Sequence, residues 1–331
     1  MKVLVTGATG FVGQYLIPKL KERNYDVVCL VRPSSDISEL KKYNVEFYRG
    51  DVTKKDTLSG ISKGIDYVIH MAARGVVEAT SEEDYLKFLN MNVKGTKNLL
   101  EEFMDSSRLK KFIHFSSTAA MGFINKPILN ETDDPSPHTP YQKSKRKSEL
   151  IVLEAFKEKQ MPTVILRPCM IYGIGGKKGE YLKFCRLMKK GLFPKVGFGD
   201  NMTPMVYVSD VADAAVLALE NSIPGEVYIV SGATSVRLDD FHREVMKNIG
   251  KGGVYPFVPK SMALFGAKCI EKLCDLFGKT PVVTYRNMKS TVTDRTFDIS
   301  KAENQLGYHP KVDMITGAKL TIKWYKDEGL L

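Results

Sequence analysis

The sequence predicts an α/β fold, a Rossmann doubly wound parallel sheet with a smaller C-terminal α+β lobe. Through the first half, short β-branched segments alternate strictly with amphipathic helical segments, and such alternation is typical of a parallel sheet with helices on both faces. A glycine-rich turn follows the first β-branched segment, at residues 7–13. After residue 168 the alternation is lost. We therefore expect a Rossmann domain over residues 1–168 and a mixed lobe over 169–331, from which some segments return to the Rossmann sheet.

The individual elements follow from the period of the apolar residues. In the first half, strands are predicted over residues 2–6, 26–31, 45–48, 67–71, 111–115 and 163–167. The helices between them are predicted over residues 11–22, 82–104 and 141–157. In the second half, strands are predicted over residues 205–208 and 226–230, and helices over 260–277 and 315–328.

The predicted helix over residues 260–277 carries many large apolar side chains. An amphipathic helix of this kind can pack on the core, line an apolar pocket or touch a membrane surface. We favour core packing, which is the usual role of an apolar stripe on a helix. The side chains concerned are Met262, Leu264, Phe265, Ile270, Leu273, Leu276 and Phe277.

Composition narrows the class of protein. The 331 residues are 43% hydrophobic and 26% charged, which is typical of a soluble globular protein. The net charge of +11 comes from scattered lysines and arginines, so a solvated basic surface is favoured over nucleic-acid binding. Five cysteines without metal-ligand spacing favour reduced thiols, no metal site and a cytoplasmic location. No signal peptide is recognised, and no segment reaches the ~18 apolar residues of a membrane span.

The glycine-rich turn places Gly7, Gly10 and Gly13 between the first strand and the first helix. Glycines let the chain turn tightly and let backbone N–H groups approach a pyrophosphate. The N-terminus of the following helix adds partial positive charge. The turn therefore predicts a dinucleotide-binding site. The other residues of that site are Thr9, Phe11 and Val12.

The residues after the second and third strands predict which dinucleotide binds. An acidic side chain after the second strand would accept a hydrogen bond from the ribose 2′-hydroxyl of NAD. This chain has Arg32 there, and a guanidinium suits the 2′-phosphate of NADP. NADP is therefore the predicted cofactor, with NAD as the alternative. Asp51, after the third strand, is expected to accept a hydrogen bond from the adenine amino group.

Tyr141 and Lys145 are the candidate catalytic pair. They lie four residues apart in a predicted helix and therefore share a face. A nearby ammonium favours the phenolate of tyrosine, whose reference pKa is roughly 10. Tyr141 can then exchange a proton with an alcohol or carbonyl while a hydride moves. Ser116, Ser117 and Thr118 end the fifth strand at the carboxyl edge of the sheet, where a hydroxyl can hydrogen-bond the reacting oxygen.

Taken in this order, these motifs resemble those of the extended short-chain dehydrogenases/reductases, the NAD-dependent epimerase/dehydratase family. The similarity covers nearly the whole chain and includes segments 6–13, 51–52, 70–73, 92–96, 115–122, 141–145 and 167–173. It implies that Ser117, Tyr141 and Lys145 are catalytic, and that Asn92 supports the active-site backbone and completes a proton relay. It further implies cofactor contacts from Val52, Met71, Ala72, Ala73, Pro168, Cys169, Met170 and Ile171. Arg74 and Thr118 are the candidate substrate contacts.

Two branches of that family are in competition. Sugar-nucleotide epimerases and dehydratases usually carry an asparagine after the Arg-Pro pair, where this chain has Cys169 and Met170. Segments 31–36, 296–302 and 306–310 are instead similar to the branch of dihydroflavonol-4-reductases, 3β-hydroxysteroid dehydrogenases and hopanoid-associated epimerase-like proteins. This similarity implies an NADP(H)-dependent oxidoreductase acting on a small carbonyl or secondary alcohol.

Two alternative functions remain open. One is a nucleotide-sugar 4-epimerase or dehydratase that holds its NAD(P) tightly through the cycle. The other is a catalytically silent dinucleotide-binding subunit or sensor, which the intact Ser117, Tyr141 and Lys145 disfavour. The family resemblance also implies a homodimer formed through the helices near residues 82–104 and 141–157.

Overall fold

The structure is a computed structural model that describes residues 1–75, 82–177, 180–191, 195–197, 199–233, 235–250, 257–278, 281 and 284–331. These residues form two compact units. The first unit comprises Met1–Ile171, Val208–Ser231 and Asp298–Lys311. The second comprises Tyr172–Tyr207, Gly232–Phe297 and Val312–Leu331.

The regular elements are numbered in chain order. The strands are β1 (Lys2–Thr6), β2 (Asp26–Val31), β3 (Glu46–Arg49), β4 (Tyr67–His70), β5 (Lys111–Phe115), β6 (Thr163–Pro168), β7 (Met170–Tyr172), β8 (Lys195–Val196), β9 (Met202–Thr203), β10 (Met205–Tyr207), β11 (Val227–Val230), β12 (Val236–Arg237) and β13 (Phe257–Val258). The α-helices are α1 (Gly13–Glu22), α2 (Glu82–Phe88), α3 (Gly95–Phe103), α4 (Pro140–Lys159), α5 (Glu180–Lys189), α6 (Val208–Asn221), α7 (Leu238–Ile249), α8 (Lys260–Leu276), α9 (Tyr285–Val292), α10 (Ser300–Leu306) and α11 (Met314–Asp327).

Within the described part of the first unit, seven strands form one parallel sheet in the order β11-β6-β5-β4-β1-β2-β3. The strand order reverses at β1, which pairs with β2 on one side and with β4 on the other. The carboxyl ends of β1 and β4 therefore lie side by side at the point where ligands bind in such sheets. This arrangement confirms the predicted Rossmann fold, and the late strand β11 joins it beside β6.

The core of this unit lies between the sheet and its helices. Most residues of β1, β4, β5 and β6 are buried on both faces, as expected for a parallel sheet covered by helices. One apolar cluster joins Leu4, Val68 and Phe112 of the sheet to Leu99 of α3 and Val152 of α4. Helix α4 is consequently anchored along the sheet, which fixes the direction of its side chains.

Two predicted helices of the first unit differ from the observed ones. Helix α1 begins at Gly13 rather than residue 11 because the Gly10 N–H donates to the Gly7 oxygen at 2.9 Å and closes a turn. The continuous α-helix predicted over residues 82–104 is wrong, since a π-helical segment, Leu89–Lys94, separates α2 from α3. There the Gly95 N–H donates to the oxygen of Asn90, five residues back. The spacing of apolar residues in the sequence does not reveal such an inserted residue.

The second unit contains a buried aromatic cluster that includes Tyr172, Tyr181 and Tyr325. Its helix α8 corrects a prediction. The large side chains of α8, apart from half-buried Leu264, are exposed, and its buried residues are Ala263 and Ala267. Core packing of its apolar side chains is therefore wrong. In the described parts of the chain, no helix is long and apolar enough to cross a bilayer.

Candidate active site

The glycine-rich turn lies against the end of β4. Gly7 has φ +75°, and a Cβ there would lie 2.9 Å from the backbone nitrogen of Ala72. A Cβ on Gly13 would overlap the carbonyl oxygen of Ala8. Both positions therefore require glycine because backbone atoms, which cannot move aside easily, fill the space of a side chain. The turn is consequently brought against Ala72, one of the predicted cofactor contacts.

The first turn of α1 is closed by backbone hydrogen bonds, from the Gln14 N–H to the Gly10 oxygen at 3.2 Å and from the Tyr15 N–H to the Val12 oxygen at 3.1 Å. Val12 is the N-cap residue, and no side chain among the described residues caps this helix start. Thr9 and Gly10 are exposed, while Phe11 and Val12 are half-buried. The start of a helix carries partial positive charge, which attracts an anion. The glycine-rich turn and the start of α1, which has no side-chain cap, therefore fit the pyrophosphate of a nicotinamide dinucleotide.

Two arginines and two carboxylates lie near the ends of β2 and β3. Arg32 is exposed, and its carbonyl oxygen accepts a hydrogen bond from the Arg49 guanidinium at 3.5 Å. A cavity of about 150 Å³ adjoins the glycine-rich turn. Asp36 and Glu39 are among the residues that line this cavity. The structure thus brings Arg32 to the expected end of β2, with both signs of charge in the same segment.

Asp51 and Val52 follow β3. The Asp51 Oδ1 accepts hydrogen bonds from the N–H and the hydroxyl of Thr53, at 2.9 and 2.8 Å. Val52 is buried, and its carbonyl accepts a hydrogen bond from the Asn98 side chain at 2.8 Å. The Asp51 carboxylate is therefore held by its own turn.

A buried histidine connects the glycine-rich turn to Asn92. The Ala72 N–H donates to Thr6 Oγ1 at 3.1 Å, and that oxygen lies 2.7 Å from His70 Nδ1. His70 Nε2 lies 3.0 Å from Thr96 Oγ1, which donates to the Asn92 carbonyl at 2.7 Å. Because the Thr96 hydroxyl donates its hydrogen bond to the Asn92 carbonyl, its oxygen can only accept from His70. His70 therefore donates from Nε2 and accepts at Nδ1. Burial lowers the pKa of His70 to about 3, so this neutral tautomer persists.

Asn92 fixes the backbone on two sides of the site. Its Oδ1 accepts from the Arg74 N–H at 2.7 Å, and its Nδ2 lies 3.2 Å from the Arg74 carbonyl. The Asn92 Nδ2 also donates to Ser144 Oγ at 3.0 Å, and Ser144 donates to the Tyr141 carbonyl at 2.8 Å. The π-helical segment thus joins the segment after β4 to the first turn of α4. Met71, Ala72 and Ala73 in that segment are half-buried.

Helix α4 presents Tyr141 beside aromatic and cationic groups. A capping box between Thr139 and Gln142 starts the helix one residue before Tyr141. Tyr141 is buried, and its ring centroid lies 5.7 Å from that of Phe88. The Arg74 guanidinium lies 5.6 Å from the same Phe88 ring. The structure therefore brings Arg74, a predicted substrate contact, into the neighbourhood of Tyr141.

Lys145 is one helical turn further along the same face. Its Nζ donates to the Phe115 carbonyl, at the end of β5, at 2.7 Å. Burial lowers the pKa of Lys145 to about 8, and the Glu149 carboxylate opposes that shift. Ser117, two residues after Phe115, caps a short 3₁₀ helix, Thr118–Met121, by accepting the Ala119 N–H at 3.1 Å. Ser117 and Thr118 are both half-buried.

A buried ion pair beneath Lys145 was not predicted. Glu149 is fully buried, and the Arg167 Nε and Nη2 donate to its two carboxylate oxygens at 2.8 and 2.9 Å. Ser116 donates to the same carboxylate at 2.6 Å. The spacing of Tyr141, Lys145 and Glu149 along one helix face was the signal available in the sequence. Arg167, in contrast, could be assigned to Glu149 only from the strand order.

The segment that follows Arg167 leaves the carboxyl end of β6. Pro168 pairs with Val230 of β11, and the Cys169 N–H donates to the Val230 carbonyl at 3.0 Å. Met170 is exposed and Ile171 is half-buried. This segment therefore lies at the same edge of the sheet as the glycine-rich turn and Ser117.

Comparisons with known proteins agree with this geometry. The model of the NAD dependent epimerase/dehydratase family matches residues 3–231, which include the glycine-rich turn and every predicted catalytic residue. A decarboxylating sterol-4-alpha-carboxylate 3-dehydrogenase from Candida albicans is 29% identical over 98% of this chain and 98% of its own length. The crystal structure of gox2253 superposes with a TM-score of 0.83 at 31% identity and covers 99% of both chains. UDP-glucuronic acid 4-epimerase from Bacillus cereus, in complex with UDP-glucuronic acid and NAD, has a TM-score of 0.78 at 27% identity, over 99% of this chain and 100% of that chain.

Proposed function

The chain belongs to the NAD dependent epimerase/dehydratase family, and from this premise we propose that it is an NADP(H)-dependent oxidoreductase acting on a carbonyl/secondary alcohol substrate. The observation that carries the proposal is the buried face of α4. There Tyr141 and Lys145 lie one turn apart, and Lys145 binds the strand end that leads into Ser117. Burial of the Lys145 ammonium costs free energy, and strongly perturbed titratable groups of this kind are typical of sites that carry out chemistry.

The cofactor would be held by the glycine-rich turn and the start of α1, with Val52, Met71, Ala72, Ala73 and the segment 168–171 beside it. When bound, the nicotinamide supplies or accepts the hydride. Tyr141 takes the proton of the substrate hydroxyl during oxidation and returns one to the carbonyl during reduction. Lys145 stabilises the phenolate by its charge, and Ser117 donates a hydrogen bond to the substrate oxygen. Asn92, through Ser144, holds the first turn of α4 in register.

The preference for NADP is supported by Arg32, which is exposed beside a second guanidinium, Arg49. The carboxylates of Asp36 and Glu39 in the nearby cavity oppose it. Fluorescence titration with NADPH and NADH tests whether the arginine or the two carboxylates determine the cofactor preference. Arg32→Ala should weaken NADPH binding by roughly 10- to 100-fold and leave NADH binding nearly unchanged. Equal loss for both cofactors, or none for either, would contradict the preference.

The relative named as a sterol-carboxylate dehydrogenase supports an apolar secondary alcohol as substrate class. A second candidate, a nucleotide-sugar epimerase that retains its cofactor, is supported by the similarity to the UDP-glucuronic acid epimerase complex. Two incubations distinguish the oxidoreductase from the epimerase, one with NADP⁺ and a panel of steroid alcohols and one with UDP-sugars. The oxidoreductase forms NADPH in proportion to product, whereas the epimerase interconverts sugars without net NADPH. Mass spectrometry of the denatured protein identifies any retained cofactor.

We further propose a homodimer in the cytoplasm, with α2, α3 and α4 at the interface. Exposed Leu86 and Leu150 on these helices support this surface, and the absence of disulfides among the five cysteines, all of which the structure describes, fits a reducing compartment. Light scattering should give twice the chain mass, and Leu150→Glu should give the monomer.

A further inference from the structure

Helix α8 presents its largest side chains to solvent. Phe265 is 71% exposed and Leu276 is 77% exposed, and Met262 and Leu273 are exposed as well. The contribution of such side chains to folding depends on their removal from water. These residues therefore contribute little to the stability of the unit to which α8 belongs. The residues that α8 does bury are two small alanines.

The exposed side chains, with half-buried Gly266 and Cys269 between them, form one continuous surface, which we call the apolar sector. At about 100° per residue, its positions span an arc of about 140° around the helix. The sector contains no charged residue. Its members are Met262, Phe265, Gly266, Cys269, Ile270, Leu273 and Leu276, with Phe277 directly after the helix.

Basic residues border the apolar sector. Lys272 and Lys268 are exposed on the strip next to it, together with Ser261 and Asp275. The Lys268 ammonium lies 4.7 Å from the centroid of the Tyr285 ring, on α9. An apolar sector with lysines along its border is typical of helices that lie in the headgroup region of a bilayer.

We propose that α8 docks this protein on an anionic lipid surface. The apolar sector inserts among the acyl chains, and Lys268 and Lys272 lie at the level of the headgroups. The charge of the whole chain, +11, favours the same partner. A second copy of this chain fits less well at α8, because a two-fold pairing of this helix would bring Lys268 and Lys272 of both copies together.

Co-sedimentation with vesicles tests this docking. The protein should bind vesicles of phosphatidylcholine and phosphatidylglycerol more tightly than vesicles of phosphatidylcholine alone. Phe265→Ser combined with Leu276→Ser should weaken binding by roughly tenfold or more. The matched control, Ile128→Ser combined with Ile223→Ser, removes two exposed apolar side chains elsewhere and should leave binding unchanged.

The lysines are tested separately. Lys268→Gln combined with Lys272→Gln should reduce the preference for phosphatidylglycerol and preserve the weaker binding to phosphatidylcholine. Phe265→Trp gives a second measurement, since brominated lipids should quench its fluorescence beyond the background of Trp324. Retained binding in the serine variant, or absence of quenching, overturns the proposal. The proposal is also overturned if the protein does not bind vesicles and the serine variant has half the mass of the unaltered protein by light scattering. A second copy would then be the occupant of the apolar sector.

Discussion

Helices α4 and α8 use their side chains in opposite ways. Helix α4 buries polar and charged groups, among them Lys145 and Glu149, whereas α8 exposes large apolar ones such as Phe265 and Leu276. Both arrangements cost free energy in an isolated chain, because buried charge loses hydration and exposed apolar surface orders water. The two proposed functions therefore lie where a helix departs from ordinary amphipathic packing, in α4 by burying polar groups and in α8 by exposing apolar ones.

The largest expected effect is on turnover, through the buried face of α4. Tyr141→Phe removes the hydroxyl that exchanges the substrate proton, so turnover with the substrate identified by the panel should fall by roughly 10²- to 10⁴-fold. NADPH binding should remain, because the ring that packs on Phe88 is kept. Phe265→Ser on α8 is the control and should leave turnover unchanged. Full turnover in the phenylalanine variant would remove Tyr141 from the proposed chemistry.

The buried ion pair under Lys145 predicts the next largest effect. Glu149→Gln removes the carboxylate that pairs with the buried Arg167 guanidinium, and loss of one partner of such a pair lowers the free energy of unfolding by about 3–5 kcal/mol. Glu154→Gln, on the exposed side of the same helix, should change it by less than about 0.5 kcal/mol. Urea denaturation measures both. Similar values for the two variants would show that the pair contributes little.

The glycine-rich turn tests whether close backbone approach is needed for the cofactor. Gly13→Ala forces a methyl group against the Ala8 carbonyl, and overpacking of this kind costs about 1–3 kcal/mol. Because the turn must open to relieve the contact, NADPH binding should weaken together with stability. A variant that keeps both, measured by fluorescence titration and thermal unfolding, would contradict the tight turn.

The pH dependence of Lys145 gives a smaller effect, with opposite signs for activity and stability. Its pKa is lowered to about 8 by burial, so kcat/KM should fall as the pH rises through about 8 and the ammonium is lost. Over the range from about 8 to the unfolded value near 10.4, the folded state binds fewer protons than the unfolded state. The contribution of Lys145 to folding stability therefore rises with pH. Lys145→Arg, which stays charged, should abolish both trends.

Glu149 provides a second test of the pKa of Lys145. Its carboxylate raises the pKa of Lys145, so Glu149→Gln should move the fall in kcat/KM to lower pH. A purely structural role of Glu149 would lower stability without moving that limb of the profile.

Sequence patterns predicted what is local in this molecule. The strands β1, β2 and β5 coincide with their predicted ranges, because β-branched runs and turn residues act within a few positions. The period of α8 likewise predicted a helix, but period reports only which side chains share a face. Whether that face meets the core depends on distant segments. The ion pair of Arg167 with Glu149 is hidden for the same reason, since it requires β6 to lie beside α4.

The smallest expected effect separates the apolar sector from the stability of α8 itself. Gly266 lies within the sector, and a Cβ there would meet no atom within 4 Å. Gly266→Ala should therefore raise the free energy of unfolding by about 0.5–1 kcal/mol, because alanine loses less conformational freedom in a helix. Since the added methyl group is apolar, vesicle binding should stay equal or become slightly tighter. Weaker vesicle binding in a more stable variant would mean that the sector requires close backbone approach, as a protein partner would and a lipid surface would not.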